Sequence, residues 1–389
     1  MASFFLDFLL VKYTYIDTQQ ALNTLCLGYL EASVVAVDTE FVRERTFSAK
    51  LGLLQAYDGK TLALIDPLAI DDLSPFWAIL TDPNIVKVLH AGSEDFEVFR
   101  NYGQLTVTSI FDSQVAAALT GQGSSLGYGK LIENQLDILL DKGESRTNWL
   151  ARPLSSAQLQ YAANDVYYLY QVYFKLIEQL QANGKTSICE QESRRLSIKV
   201  PTNNAQEKYV DISGAWQLVP EQLAVLQQLT QWRYQEAFKR DLALGFVLKD
   251  AELLAIAKET PQDLSQLKAL QQIHPMVVKR YGNRILQLVE RGMNQEILPP
   301  KLTRLVDYPC YKQQFKAIKS LVEKVATESD IPKEMIASKK LIHEVLSFYW
   351  KKELNNQAQP VLFSGWRHEV VGQEIQQLLI NTDGATAKL

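Results

Sequence analysis

Hydrophobic positions come in short runs through the first half of the chain and at helical intervals through the second. Val34-Val35-Ala36-Val37, four small or β-branched apolar residues in a row, predicts a strand buried on both faces. Ahead of it, residues 18–30 place Ala21, Leu22, Leu25, Cys26, Tyr29 and Leu30 at helical spacing. Residues 50–56 and 62–66 predict two more strands, with Asp58-Gly59 between them as a tight hairpin turn. Residues 77–80 belong to a short helix. Residues 85–90 form another apolar strand, which Ala91-Gly92-Ser93 turns into a helix carrying Glu94-Asp95-Phe96-Glu97-Val98-Phe99. Residues 105–111 predict a last strand, ending at Asp112. A three-strand meander followed by alternating strand and helix indicates an α/β layered domain, a mixed sheet flanked by helices.

The stretch 119–152 is rich in Gly, Ser and charge. Its Gly121, Gly123, Gly127 and Gly129 follow neither a phosphate-loop nor a dinucleotide-binding order. Ser155-Ser156-Ala157-Gln158 after Pro153 predicts a helix start, and that helix runs to 181, ahead of Asn183-Gly184. Residues 187–205 are polar and mixed, and Pro201-Thr202-Asn203-Asn204 predicts a linker. Beyond residue 216 the pattern is helical. A shift of 89 residues places Leu226 on Phe315, Leu229 on Ile318, Trp232 on Leu321, Asp241 on Asp330 and Val247 on Ile336. Pro299-Pro300 separates the copies. The expected organisation is an α/β domain over 13–200, a linker over 201–215, and two all-α domains of similar build over 216–296 and 301–385.

Composition narrows the class. A chain of 389 residues is too long for one ordinary core. Its 47% hydrophobic and 22% charged residues fit a globular protein, neither disordered nor membrane-spanning. A net charge of −4 and a pI of 5.8 exclude a global basic field, so nucleic-acid contacts must come from local patches or through metal ions. Such patches occur in the helical half at Lys239-Arg240, Lys279-Arg280, Lys339-Lys340 and Lys351-Lys352. Cys26, Cys189 and Cys310 match no zinc spacing and no disulfide framework, which suits a reducing cytoplasm. The apolar run Phe4-Phe5-Leu6-Asp7-Phe8-Leu9-Leu10 lacks a basic lead and a small-residue cleavage site, so no secretory signal is expected. Residues 1–12 are assigned no role.

Candidate chemistry begins where the Val34 strand ends. In Asp38-Thr39-Glu40-Phe41 the two carboxylates are two residues apart, and strand residues at i and i+2 point to one side. Paired anions repel unless protons or a cation offset the charge, and a hard divalent cation does so through carboxylate oxygens. Asp95 opens the helix after the 85–90 strand, and Tyr161 and Asp165, at i and i+4, share one face of the long helix. Each acid alone has a structural explanation as well: a polar turn for Asp38 and Glu40, the helix dipole for Asp95, solvent for Asp165. Together, four carboxylates can hold two Mg²⁺ or Mn²⁺ ions about 3.5–4 Å apart, the arrangement that activates water and stabilises the leaving oxygen in phosphodiester hydrolysis. Tyr161, with an ordinary pKa of about 10, is suited to orienting the attacking water. No nucleophilic Cys or Ser is indicated, because no His partners the cysteines and no Gly-x-Ser-x-Gly occurs.

Asp38-Thr39-Glu40-Phe41 resembles the first motif of the DEDD superfamily of 3′→5′ exonucleases, and His90-Ala91-Gly92-Ser93-Glu94-Asp95 resembles the second. Tyr161-Ala162-Ala163-Asn164-Asp165-Val166 resembles the third, in its Tyr-x-x-x-Asp form. With Thr147-Asn148-Trp149-Leu150-Ala151-Arg152-Pro153-Leu154 ahead of the third, the set is most similar to the ribonuclease D family, although Asn148 stands where many relatives carry an acid or Ser. The resemblance covers residues 33–180. It implies a ribonuclease H-like fold, metal ligands at Asp38, Glu40, Asp95 and Asp165, and a catalytic tyrosine at Tyr161. It also implies release of 5′-mononucleotides from RNA with a free 3′ end, tRNA precursors above all. Trp232-Arg233 and Arg240-Asp241-Leu242-Ala243, followed by Phe246-Val247, are similar to the helicase-and-RNase-D C-terminal (HRDC) domain, with 301–385 as a divergent second copy.

A nuclease acting at a 3′ end must tell that end from an internal phosphate, by packing apolar groups on the last base and holding the 3′-OH. Thr39 and Phe41, beside the acids, are candidates for this contact. His90 either reaches the terminal nucleotide or is a hydrogen-bonded core residue. Trp149, with Arg146 and Arg152, either stacks a base and contacts phosphate or pins the long loop onto the core. The expected function is a metal-dependent 3′→5′ exoribonuclease, cytoplasmic and monomeric. The same chemistry on DNA and a non-catalytic nucleic-acid scaffold are the alternatives.

Overall fold

A computed structural model describes residues 10–140, 143–198, 207–351 and 359–386, with 381–386 described by backbone alone. The apolar run up to residue 9, the Pro201-Thr202-Asn203-Asn204 segment and Lys352 lie outside the described residues. The chain divides into two units. One draws on Met1–Val42, Lys50–Lys199 and Lys312–Leu389, the other on Arg43–Ala49 and Val200–Tyr311.

The first unit contains the strands β1 (Thr14–Ile16), β2 (Val34–Val42), β3 (Lys50–Tyr57), β4 (Leu62–Ile65), β5 (Val86–Leu89) and β6 (Ile110–Asp112), in the sheet order β1-β4-β3-β2-β5-β6. β2, β5 and β6 are mutually parallel, β3 is antiparallel to β2 and β4, and β1 is parallel to β4. Val35, Ala36 and Val37 are fully buried, as a strand covered on both faces requires. The helices of this domain are α1 (Gln19–Tyr29), α2 (Ser74–Thr81), α3 (Ser93–Gly103), α4 (Ser113–Leu119), α5 (Tyr128–Leu136), α6 (Ser156–Ala182) and α7 (Thr186–Ile198). The hairpin turns at Asp58-Gly59, where Asp58 Oδ1 accepts from the Lys60 and Thr61 amides at 2.8 and 2.7 Å and Gly59 takes φ +90°. α6 packs along β2, β3 and β4.

Two elements differ from the sequence expectation. The strand expected over 105–111 is confined to Ile110–Asp112, because Ser109 takes φ +48° and breaks the extended run. Residues 187–205, read from the sequence as polar and mixed with no element assigned, carry α7 over most of their described length. Its buried positions are Cys189, Glu192, Ser193 and Ser197, so no apolar stripe marks it. α7 packs on β6, where the Asp112 amide donates to Ser193 Oγ at 3.0 Å.

The second unit contains α8 (Pro220–Arg240), α9 (Leu244–Val247), α10 (Asp250–Glu259), α11 (Leu264–Ala269) and α12 (Pro275–Met293) around a core including Leu226, Leu229, Trp232, Ile256 and Ile285. Tyr209, Ile212 and Ala215 are buried in the same core, so that part of the stretch expected as a linker is folded with the helices. Phe47 packs edge-on against Tyr234 and Phe238 at 5.2 and 5.6 Å, and a carboxylate oxygen of Asp241 accepts from the Phe47 and Ser48 amides.

The second helical copy, part of the first unit, consists of α13 (Tyr311–Ser329), α14 (Lys333–Ile336), α15 (Lys339–Trp350), α16 (Gly365–Arg367) and α17 (Gln373–Thr386). The 89-residue shift carries Leu244–Val247 onto Lys333–Ile336. Asp241 and Asp330, each just past a long helix, take φ +50° and +52°, a conformation that Asp tolerates better than most residues. This copy is docked through α7. The buried Glu192 accepts from Trp366 Nε1 at 3.0 Å, from Arg367 Nη2 at 2.8 Å and from Arg195 Nε at 3.1 Å, and Arg367 Nη1 closes a second bond to it. Arg367 also donates to the Met335 and Ile336 carbonyls. Among the described residues, no helix is long and apolar enough to cross a membrane.

Candidate active site

β2 delivers two acids to one side of the sheet. Asp38 pairs with Gln55 and Glu40 with Leu53, after which the register slips so that Phe41 faces Leu51 and Gly52 is the extra residue on β3. A Cβ on Gly52 would lie 2.6 Å from the Trp149 carbonyl oxygen, so the bulge needs glycine for the 149–152 loop to seat there. That loop is fastened by Arg152, which donates to the Gly52 carbonyl at 2.7 Å and twice to Asp66 at 2.6 Å.

Asp95 lies in the first turn of α3, where the helix dipole favours an anion. Thr39 points to the other side of β2 from Asp38 and Glu40, and its hydroxyl donates to Asp95 Oδ1. The turn ahead of α3 is held by the buried Asp112, whose carboxylate accepts from the Ala91 and Gly92 amides at 3.2 and 3.0 Å and from Gln114 and Val115 in the first turn of α4.

α6 starts at a full capping box. Ser155 Oγ accepts from the Gln158 amide at 3.1 Å, and Gln158 Oε1 accepts from the Ser155 amide at 3.0 Å. One turn and a half further on, Tyr161 lies one helical turn from Asp165 on the same face of α6, and burial together with the charge of that acid raises the Tyr161 phenol. Tyr128, which no sequence motif marks, donates to the Asp165 carbonyl oxygen at 2.5 Å and fixes the backbone that carries this acid.

Carboxylate oxygens of Asp38, Glu40 and Asp165 all lie within 4.8 Å of one another. Asp95 stands beside this trio and adds its charge to Asp38 and Glu40. Burial and then the neighbouring acids push Asp38 well above the carboxylate range, and push Glu40 up to about 9. Burial raises Asp165 to about 8 against the lowering influence of the nearby Tyr161 hydroxyl, and Asp95 to about 6 against the Thr39 bond. Burial and the adjacent acids also raise the Tyr161 phenol. Buried carboxylates crowded together in this way are an all-oxygen donor set of the kind that hard divalent cations take. The residues present fit such an ion.

The expected substrate contacts fare differently. Thr39 is 6% exposed and engaged with Asp95, so it positions an acid rather than meeting a nucleotide. Trp149 is 1% exposed, its ring 6.2 Å from that of Tyr161, which excludes base stacking and leaves the loop-pinning role. The Arg152 guanidinium is committed to Asp66 and to the carbonyls of Gly52, Trp149 and Ala151, so the phosphate contact expected of it is replaced by an internal one. His90 Nδ1 lies 2.9 Å from Ser113 Oγ, its ring sits edge-on against Tyr128 and burial lowers its pKa, while its Nε2 has no hydrogen-bond partner among the described residues. Phe41 is half-buried beside Glu40. Asn148 Oδ1 accepts from the Leu150 amide at 3.1 Å, a local turn contact.

Residues 13–181 match the 3′-5′ exonuclease family, residues 222–289 the HRDC domain, and residues 309–375 the C-terminal HRDC domain of ribonuclease D. The chain is 44% identical to ribonuclease D of Shewanella sp. over 94% of each sequence, and 41% identical to that of Escherichia coli over 95% of this chain and 99% of the relative. The crystal structure of E. coli RNase D, an exoribonuclease involved in structured RNA processing, superposes with a TM-score of 0.91 over 95% of this chain and 99% of that one. The catalytic core of RRP6 from Trypanosoma brucei shares the fold, with a TM-score of 0.61 at 23% identity over 75% of this chain and 82% of that one. With its mixed sheet, its acids and its two HRDC segments, the chain belongs to the ribonuclease D family.

Proposed function

We propose that this exoribonuclease releases 5′-mononucleotides from the 3′ ends of structured RNA, tRNA precursors among them, with Asp38, Glu40, Asp95 and Asp165 holding two divalent cations. The observation that carries the reading is the convergence of Asp38, Glu40 and Asp165 within 4.8 Å from a strand and a helix over 120 residues apart in sequence. Mg²⁺ or Mn²⁺ held there would supply the positive charge that offsets the phosphoryl oxygens and activates water. The chain's own groups do the rest. Tyr161, one helical turn from Asp165 on α6, orients the attacking water at the edge of the acid cluster. Thr39 holds Asp95 in place, and Phe41 packs against the terminal base.

Phosphate contacts are assigned to the basic helix surfaces of the HRDC domains. In the first of these, the guanidinium groups of Arg240 and Arg280 lie 5.7 and 5.9 Å from the centroid of the Tyr281 ring. A monomer in the cytoplasm suits this reading, and the three free cysteines agree with a reducing compartment.

The test is 3′-labelled single-stranded RNA and DNA with and without Mg²⁺, alongside Asp38→Ala. Metal-dependent release of 5′-mononucleotides from RNA, absent in the variant, is the expected result. Equal activity on DNA, or binding with no release, would overturn the reading.

A further inference from the structure

The connection between β2 and β3 folds with the first HRDC segment and not with the sheet it joins: Arg43–Ala49 form one unit with Val200–Tyr311, while both flanking strands belong to the other unit. The half-buried Phe47 packs on the core of that helical unit, edge-on to Tyr234 and Phe238. Asp241 Oδ1 accepts from the Phe47 amide at 3.2 Å and from the Ser48 amide at 3.4 Å, and the Ala243 amide donates to the Arg45 carbonyl at 2.8 Å. Backbone groups that a surface loop ordinarily leaves to water are met here by the turn between α8 and α9. That turn exists because Asp241 ends α8 in the left-handed region, at φ +50°. The connection begins directly after the end of β2 that carries Glu40 and Phe41, and its closing rungs are Phe41 against Leu51 and Val42 against Lys50. A hairpin's connection sets how its strand ends are presented. The second helical copy uses the same turn in the same way. Asp330, which the 89-residue shift places on Asp241 and which also has positive φ, accepts from the buried Lys185 through its carbonyl and, at 3.1 Å, through its carboxylate. Lys185 lies just past the end of α6, so in both copies this turn grips chain that runs straight out of an acid-bearing element.

We propose that Asp241 and Phe47 are positioning residues for the exonuclease reaction: by holding Arg45–Ser48 they fix the end of β2 from which Glu40 and Phe41 meet the RNA 3′ end. The first HRDC segment then acts on the chemical step as well as through its basic surface. The inference rests on the reading above, in which Glu40 and Phe41 work at that end. A reacting group displaced by about 1 Å costs on the order of a hundredfold in rate, so a connection that loses its grip is felt in turnover before it is felt in folding.

The experiment uses the full chain with Mg²⁺ and two RNAs, a trinucleotide and a long single strand. Asp241→Gly removes the acceptor while glycine takes φ +50° without strain, and Asp241→Asn keeps both the acceptor and the turn. Phe47→Ala removes the ring and leaves the backbone bonds. The trinucleotide leaves little backbone for a second domain to hold, so it reports the chemical step and not RNA capture. All rates are read well below each variant's own melting midpoint. The expected result is a kcat on the trinucleotide about 10–100-fold lower in Asp241→Gly and in Phe47→Ala, most of it restored in Asp241→Asn. Parent-like kcat on the trinucleotide in the glycine and alanine variants, with any loss confined to the long strand, would overturn the inference. Equal loss in Asp241→Asn and Asp241→Gly would overturn it too, because the acceptor for the two amides would then not be what matters. A parent chain that releases no mononucleotide from either RNA would instead sink the reading beneath the inference, so the two failures are distinguishable.

Discussion

Arg367→Met tests how the second HRDC copy is held to the exonuclease domain. The Arg367 and Glu192 side chains are only 4% and 5% exposed, and two guanidinium nitrogens of Arg367 bond the two Glu192 oxygens. Removing one member of a buried pair leaves the other charge uncompensated, a loss of about 3–5 kcal/mol. Arg195, 3.0 Å from Glu192 Oε2 and 35% exposed, still offers that carboxylate a cation, which places the expected loss near the lower end, about 3 kcal/mol. The Met335 and Ile336 carbonyls lose a donor as well, which works against any smaller value. Burial alone would raise the Glu192 pKa, but the Arg367 and Arg195 partners outweigh it and hold the carboxyl below its ordinary 4.5. The stabilisation is therefore complete above that ordinary value and is lost as acid protonates the folded-state group. Urea unfolding of the full chain, followed by far-UV circular dichroism, measures the loss at neutral pH. Adding Glu192→Leu to the Arg367→Met background should restore more than half of it, because the orphaned charge is then gone. A loss below about 1 kcal/mol for Arg367→Met would refute the argument that this pair welds the copy in place.

Further outcomes follow from the site. In EDTA, Glu40 and Asp165, raised to about 9 and 8, retain protons that the unfolded chain has already released above pH 5, so the melting midpoint should fall as pH rises from 5 to 9. Glu40→Gln should flatten that slope, and a midpoint that climbs over the same window contradicts the assignment. Gly52→Ala should lower stability by about 1–3 kcal/mol in thermal unfolding, since its Cβ meets Trp149 backbone that cannot swing aside; an unchanged midpoint contradicts it. Tyr161→Phe should reduce turnover roughly a hundredfold with Mn²⁺ affinity nearly unchanged, and parent-like turnover would remove the water-orienting role.

The acids were legible because their signal is local. Asp38 and Glu40 follow a run of buried β-branched residues, and Tyr161 and Asp165 share a helix face in a segment whose capping box is written as Ser155 to Gln158. The helical repeat was legible from the spacing of apolar residues, down to the paired Asp241 and Asp330 turns. What escaped depends on contacts between distant parts of the chain. α7 buries Cys189, Glu192, Ser193 and Ser197, a polar face that makes sense only against β6 and Arg367. Trp149 and Arg152 have the composition of a nucleic-acid contact, yet Gly52 and Asp66 draw them inward. Tyr128 supports Asp165 from the glycine-rich stretch, where nothing in the spacing distinguishes it.

Asp38, Glu40 and Asp165 act together as the core of the proposed two-cation centre. Mn²⁺ titration of the parent and of Asp165→Asn, which keeps the size of the side chain and removes its charge, addresses it directly. The expected result is an Mn²⁺ affinity at least tenfold weaker in the variant at unchanged helix content. Equal Mn²⁺ affinity in the two proteins would contradict it.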